Sequence, residues 1–296
     1  MHTKRLRVFF LDVCLILTAC AGISQGTPVP TAVVPSTTPS PLPTDTALPS
    51  PTPTPVCHAV SGSTTQVKFH SETMEEEFTF SVYLPPCYNA ALAGGYPVIY
   101  LFHGNAPEMN DTYWTSTLGI NQAADQAIDA GGPAFIMVFP YEVNDWDPPL
   151  GTKFGDAVMD DLIPYVQSHY NVCTSRQCRE IGGFSRGAGW AMHLGLTHLD
   201  MFSAIGAHSL GWFQGDLYRV QNLLAVHSAA DFPRIYMDRG DQDYLHASID
   251  LYEQNLKDTG IAHVFKISPG VHDKAYWQSQ VGNYVAWYEL GFAGLN

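Results

Sequence analysis

Glu180-Ile181-Gly182-Gly183-Phe184-Ser185-Arg186-Gly187-Ala188-Gly189-Trp190 decides the fold. It contains the pattern G-x-S-x-G, placed where a short strand-like run from Glu180 to Gly183 gives way to a helical pattern from Gly187 to Thr197. A turn this sharp leaves no room for a Cβ on either side of the serine, and it lifts the hydroxyl above the strand end at the start of a helix. Five residues of this kind are weak evidence alone, because glycine and serine are common. The strand before them and the helix directly behind make Ser185 the candidate nucleophile rather than the serine of an ordinary glycine-rich turn.

Outward from that turn, strand and helix patterns alternate. Gln66 to His70 and Phe78 to Leu84 alternate in polarity as paired antiparallel strands do, with Glu75-Glu76-Glu77 between them. Pro97 to Phe102 and Ala134 to Phe139 are continuous apolar runs, expected for strands buried on both faces. Ile120 to Ala130 reads as a helix, and Gly155 to His169 as an amphipathic helix exposing Asp160 and Asp161. Beyond the serine, strands are expected at Ala204 to Ala207, Arg234 to Asp238 and His263 to Ile267, and helices at Ala247 to Thr259 and Lys274 to Leu290. This order predicts one α/β domain, a mostly parallel sheet with antiparallel N-terminal strands and helices on both faces.

An activated serine needs a base and an orienting acid further along the chain. Parallel strands bring their C-terminal ends to one edge, so residues just past those ends can converge. His272 leaves the last strand at that edge and is the best base among the histidines; His193, His198, His208 and His227 have no strand-end place that completes a triad, and His103 is expected to support its own loop. The turn after Arg234 to Asp238 offers three acids, Asp238, Asp241 and Asp243.

Four stretches carry a resemblance: Pro97 to Gly104, Asp160 to Val166, Gly183 to Trp190 and Gly270 to Trp277. Together they resemble the esterase family of α/β-hydrolase folds that includes S-formylglutathione hydrolase, feruloyl and acetyl xylan esterases, enterochelin esterase and the antigen 85 mycolyltransferases. The resemblance implies an acid three residues after a glycine, which selects Asp243, and the G-x-H-D-x-x-x-W pattern falls on His272. It further implies an oxyanion held by the backbone N–H groups of Asn105 and Arg186. Arg186 stands where the family frequently has methionine, and offers a hint of a carboxylate-bearing substrate or of pairing with a nearby Asp. Trp114, Trp146 and Trp277 are candidate platforms for a phenolic ring or a sugar face. Feruloyl or acetyl esters of plant polysaccharide are the expected substrates; an acyltransferase, or a surface binding module without turnover, are the alternatives. No metal or other cofactor is expected, because no His and carboxylate cluster has ligand spacing.

The N-terminus is of another kind. Lys4, Arg5 and Arg7 precede the apolar run Val8 to Leu17, too short to span a bilayer, and Leu17-Thr18-Ala19-Cys20 resembles a bacterial lipobox, with Asp12 as a departure. The expectation is a signal over 1–19, a lipidated Cys20 with a Pro/Thr/Ser-rich stalk over 20–56, and the esterase domain over 57–296, displayed at the cell surface or secreted. Cys57, Cys87, Cys173 and Cys178 remain as disulfide candidates in an oxidising compartment; three pairings exist, and the nearness of Cys173 to Cys178 favours a local staple that leaves Cys57 for Cys87. The formal charge of −14 argues against nucleic acid as a partner.

Overall fold

A computed structural model of the chain describes residues 57–143 and 152–295. The signal-like segment, Cys20, the Pro-rich stretch and Trp146 lie outside the described residues.

Eight strands form one sheet: β1 (Ser63–Ser71), β2 (Glu76–Leu84), β3 (Val98–Phe102), β4 (Ile136–Pro140), β5 (Arg179–Phe184), β6 (Ala204–His208), β7 (Arg234–Gly240) and β8 (His263–Ser268), in the order β1-β2-β4-β3-β5-β6-β7-β8. β1 and β2 pair antiparallel, β2 joins β4 antiparallel, and every other pairing is parallel. Glu76 and Glu77, read as part of the turn, open β2. The strands read as doubly buried, β3 and β4, are buried at every residue.

Seven α-helices flank the sheet among the described residues: α1 (Ile120–Asp129), α2 (Phe154–Ala157), α3 (Ile163–His169), α4 (Arg186–Thr197), α5 (Asp216–Leu224), α6 (His246–Asp258) and α7 (Lys274–Phe292). Side chains alternate across each strand, so the sheet has two cores. Tyr100, Ile181, Ile205 and Met237 pack with the apolar faces of α2 to α6, whereas Ile99, Leu101 and Phe139 pack with α1 and α7.

Two expectations change. The helix anticipated from Gly155 to His169 is interrupted by a π-helical turn at Val158–Leu162, and Asp161 is half-buried rather than exposed. Its carboxylate accepts from the Ser71 hydroxyl at 2.5 Å and the Thr73 N–H at 2.9 Å, which fixes the β1–β2 turn to this helix. α5 was absent from the sequence pattern. Both disulfides join the expected partners, Cys57 with Cys87 and Cys173 with Cys178.

Candidate active site

Ser185 follows the last residue of β5 and precedes the first of α4, with φ 55° and ψ −121°. This is a region that side-chain-bearing residues rarely adopt, and such strain persists where surrounding structure enforces it. Here a Cβ on Gly187 would collide with the carbonyls of Phe102 and His103, and one on Gly183 with the carbonyl of Gly187. The Ser185 N–H donates to the His208 carbonyl at 2.9 Å, and the Ser185 carbonyl accepts from Gly211 at 3.0 Å, so the strained residue is held from both sides.

The C-terminal ends of the parallel strands deliver the partners. Asp243 lies just past β7 and His272 just past β8. His272 Nε2 is 2.9 Å from Ser185 Oγ, and its Nδ1 is 3.0 Å from both oxygens of Asp243. With Nδ1–H donating to the carboxylate, Nε2 is the lone-pair nitrogen facing the serine hydroxyl. Of the three acids left open by the residue pattern, the histidine meets Asp243. Asp238 is drawn into a different pairing inside the sheet, and Asp241 accepts from the Gly270 N–H. Burial works to raise the Asp243 pKa, but the hydrogen bonds from His272 and the Leu245 N–H, with the nearby Ser209 hydroxyl, hold it below the usual carboxylate range. Asp243 is therefore a carboxylate at neutral pH.

The loop after β3 is set by His103. Its Nδ1 donates to the Gly104 carbonyl at 2.6 Å, and its Nε2 accepts from the Glu142 N–H at 3.1 Å. Burial pushes the imidazole pKa down, which keeps it neutral and able to do both. A trans peptide sets C=O and N–H antiparallel, so anchoring the Gly104 carbonyl on His103 turns the Asn105 N–H away from that ring. Asn105 lines a cavity of about 390 Å³ together with Ser185 and His272. Tyr113, Tyr244 and Trp277 supply its aromatic wall, and Glu108, Asp273 and Lys274 its charges.

Among the described residues, the carboxylate that meets Arg186 belongs to a glutamate. The guanidinium forms a bidentate bridge to Glu142, at 2.8 Å and 2.7 Å, largely out of solvent. Nothing in the sequence links two residues so far apart, and Glu142 went unnoticed.

The aromatic candidates separate. Trp114 is fully buried, with its indole N–H on the Phe102 carbonyl at 3.1 Å, so it is a core residue and not a substrate platform. Trp277 borders the cavity edge-on to His272, 5.1 Å between ring centroids, stacks on Phe184 and spends its N–H on Ser209. Tyr244, which the sequence reading passed over, is 72% exposed and lies 4.7 Å from the His272 ring. Its position directly after Asp243 was the available signal.

A family model described as "Putative esterase" matches residues 71–288. The chain belongs to that esterase family. This esterase is similar to an Xylanibacter ruminicola protein described as endo-1,4-beta-xylanase/feruloyl esterase, 29% identical over 163 residues, 51% of this chain and 22% of that protein. It thus matches about 22% of the length of that curated relative. Among solved structures it resembles a ferulic acid esterase at 22% identity and TM-score 0.69, covering 78% of this chain and 98% of that one. A ferulic acid esterase from the anaerobic fungus Anaeromyces mucronatus is 20% identical with TM-score 0.65, covering 80% and 92%. At these identities the solved structures establish the esterase's fold, a mostly parallel eight-stranded sheet of α/β-hydrolase type.

Proposed function

We propose that the protein is a serine carboxylic ester hydrolase whose nucleophile is Ser185, whose base is His272 and whose orienting acid is Asp243. The observation that carries this reading is the unbroken Ser185–His272–Asp243 relay, 2.9 Å and 3.0 Å long, with its serine held at a strained strand-to-helix turn. In the first half-reaction Ser185 Oγ attacks the acyl carbonyl while His272 Nε2 takes its proton. His272 then returns that proton to the departing alcohol, leaving an acyl-serine. In the second half-reaction His272 deprotonates a water that attacks the acyl-serine, and releases the proton to Ser185 as the acid departs. Asp243 keeps the imidazole in the tautomer that can accept, and steadies the imidazolium between steps. The backbone N–H groups of Asn105 and Arg186 take the oxyanion, Arg186 at the positive end of α4.

Feruloyl or acetyl esters of plant polysaccharide are the proposed substrates. The curated relative's description supports this, as do the aromatic wall of the cavity and the Glu108 and Asp273 carboxylates beside it, which disfavour an anionic acyl group. We also place the enzyme outside the cytoplasm, tethered by lipid on Cys20 with 20–56 as a spacer. Two disulfides within the described domain support an oxidising compartment.

The test is labelling by a fluorophosphonate, with peptide mapping of the adduct, followed by kcat/KM on methyl ferulate, acetylated xylan and p-nitrophenyl acetate. An adduct on Ser185, lost in Ser185→Ala together with turnover at an unchanged Tm, is expected. Wild-type turnover by Ser185→Ala refutes the nucleophile, and equal indifference to all three esters refutes the substrate class. Mass spectrometry of the mature N-terminus tests the diacylglycerol on Cys20.

A further inference from the structure

Beneath the proposed triad lies a second histidine–aspartate pair for which the hydrolysis has no use. His208 is the last residue of β6 and stands in register with Asp238 on β7. His208 Nδ1 is 2.7 Å from Asp238 Oδ1. The other oxygen of that carboxylate accepts from the hydroxyls of Tyr276, at 2.6 Å, and Tyr284, at 2.9 Å. On its far side the His208 ring meets the Tyr288 hydroxyl through Nε2 at 3.2 Å. Each of these five residues is buried, 2% exposed at most, so no substrate reaches the pair and it is not a second catalytic centre.

A buried carboxylate is costly unless it is paired and hydrogen-bonded, and this one is satisfied by three donors from two separate elements, β6 and α7. Those elements and β7 each adjoin one member of the triad. The His208 carbonyl accepts from the nucleophile's own N–H at 2.9 Å. β7, which carries Asp238, runs on into the turn bearing Asp243. Tyr276 stands in the first turn of α7, directly behind the His272 loop, and its N–H donates to the helix-capping Asp273 at 3.0 Å. We propose that Asp238, through Tyr276, is a positioning residue that holds His272 within bonding distance of Ser185 and Asp243 at once. The inference rests on Ser185 being the nucleophile.

Tyr284 provides the control. It donates to the same oxygen of Asp238, two turns further along α7, so deleting its hydroxyl leaves the carboxylate short of the same kind of donor without touching the turn behind His272. The experiment compares Tyr276→Phe and Tyr284→Phe in the full chain by Tm, by kcat and KM for p-nitrophenyl acetate, and by the rate of fluorophosphonate labelling. Both variants are expected to lose Tm to a similar extent. Tyr276→Phe is expected to lower kcat by about tenfold or more, because misplacing a base by a fraction of an ångström is enough for such a loss. Its KM is expected to stay within about twofold of wild type and its labelling to slow in parallel, while Tyr284→Phe keeps kcat within about twofold. Equal kcat values for the two variants, whether both low or both unchanged, overturn the proposal. If Ser185→Ala is dead and Tyr276→Phe turns over like wild type, this inference alone fails; if Ser185→Ala is active, the nucleophile reading fails and takes the inference with it.

Discussion

Replacing Arg186 with methionine removes one half of a bidentate ion pair whose side chains are only 13% and 10% exposed. The Glu142 carboxylate is then left in a site built around a guanidinium, with two charge-assisted hydrogen bonds gone. Breaking such a pair from one side costs about 3 to 5 kcal/mol when burial is complete. The residual exposure of both groups lets water reach them, which puts the expected loss near the lower end, about 3 kcal/mol. For a domain of this size each kcal/mol is worth about 2 to 4 °C, so Arg186→Met should melt about 6 to 12 °C below wild type. Removing both charges is a different perturbation. Arg186→Met with Glu142→Leu exchanges the pair for apolar side chains, and the Glu142 backbone N–H still reaches His103. Such exchanges are often neutral, so the double variant should recover much of the loss and melt above either single variant. Thermal melts and urea titrations of the four proteins give the coupling energy directly. Additive losses, with the double variant at the sum of the singles, would refute the claim that Arg186 is committed to Glu142 and would reopen a substrate carboxylate as its partner.

Four further outcomes are expected. Because Asp243 is held below the usual carboxylate range and stays ionised on mild acidification, a loss of turnover there should come from the general base and not from the orienting acid, and turnover independent of pH down to the ordinary carboxylate range speaks against general-base catalysis. Asp243→Asn should preserve the fold by circular dichroism yet lower kcat by about 10⁴, through loss of the required tautomer. Burial, opposed by Arg234, pushes the Glu180 carboxyl up to about 8 from 4.5; a raised folded value means that its contribution is whole below pH 4.5 and is lost as pH rises through 8, so Glu180→Gln should flatten the decline of Tm across that window. The Cys57–Cys87 link closes a separation of 30 residues and Cys173–Cys178 one of 5, so chain entropy assigns them about 4 and about 2 kcal/mol, and paired serine substitutions measured by urea unfolding should keep that order.

What was legible in the sequence is what is written in a local pattern. β3 and β4 are uninterrupted apolar runs because both faces are covered, and the serine turn shows itself because glycines must stand where side chains cannot. His272 could be placed because the strand-end rule converts chain order into position. α5 escaped because its apolar stripe, Leu217, Val220, Leu223 and Leu224, spans only nine residues, and Val220 alone of the four is fully buried. Trp114 was misjudged because an aromatic in a loop carries no mark of which way it faces; here it turns inward onto the Phe102 carbonyl. Glu142 and the His208–Asp238 pair escaped for a deeper reason. Their meaning lies in partners from other elements of the fold, and a histidine that ends a buried strand looks the same in sequence whether it serves a substrate or the sheet itself. Only the register of β6 against β7 separates the two cases, because it sets His208 opposite Asp238 inside the sheet while β7 carries Asp243 on to the edge. The same strand thus supplies one aspartate to the buried pair and another to the proposed catalytic relay, and the tyrosines of α7 are what tell them apart.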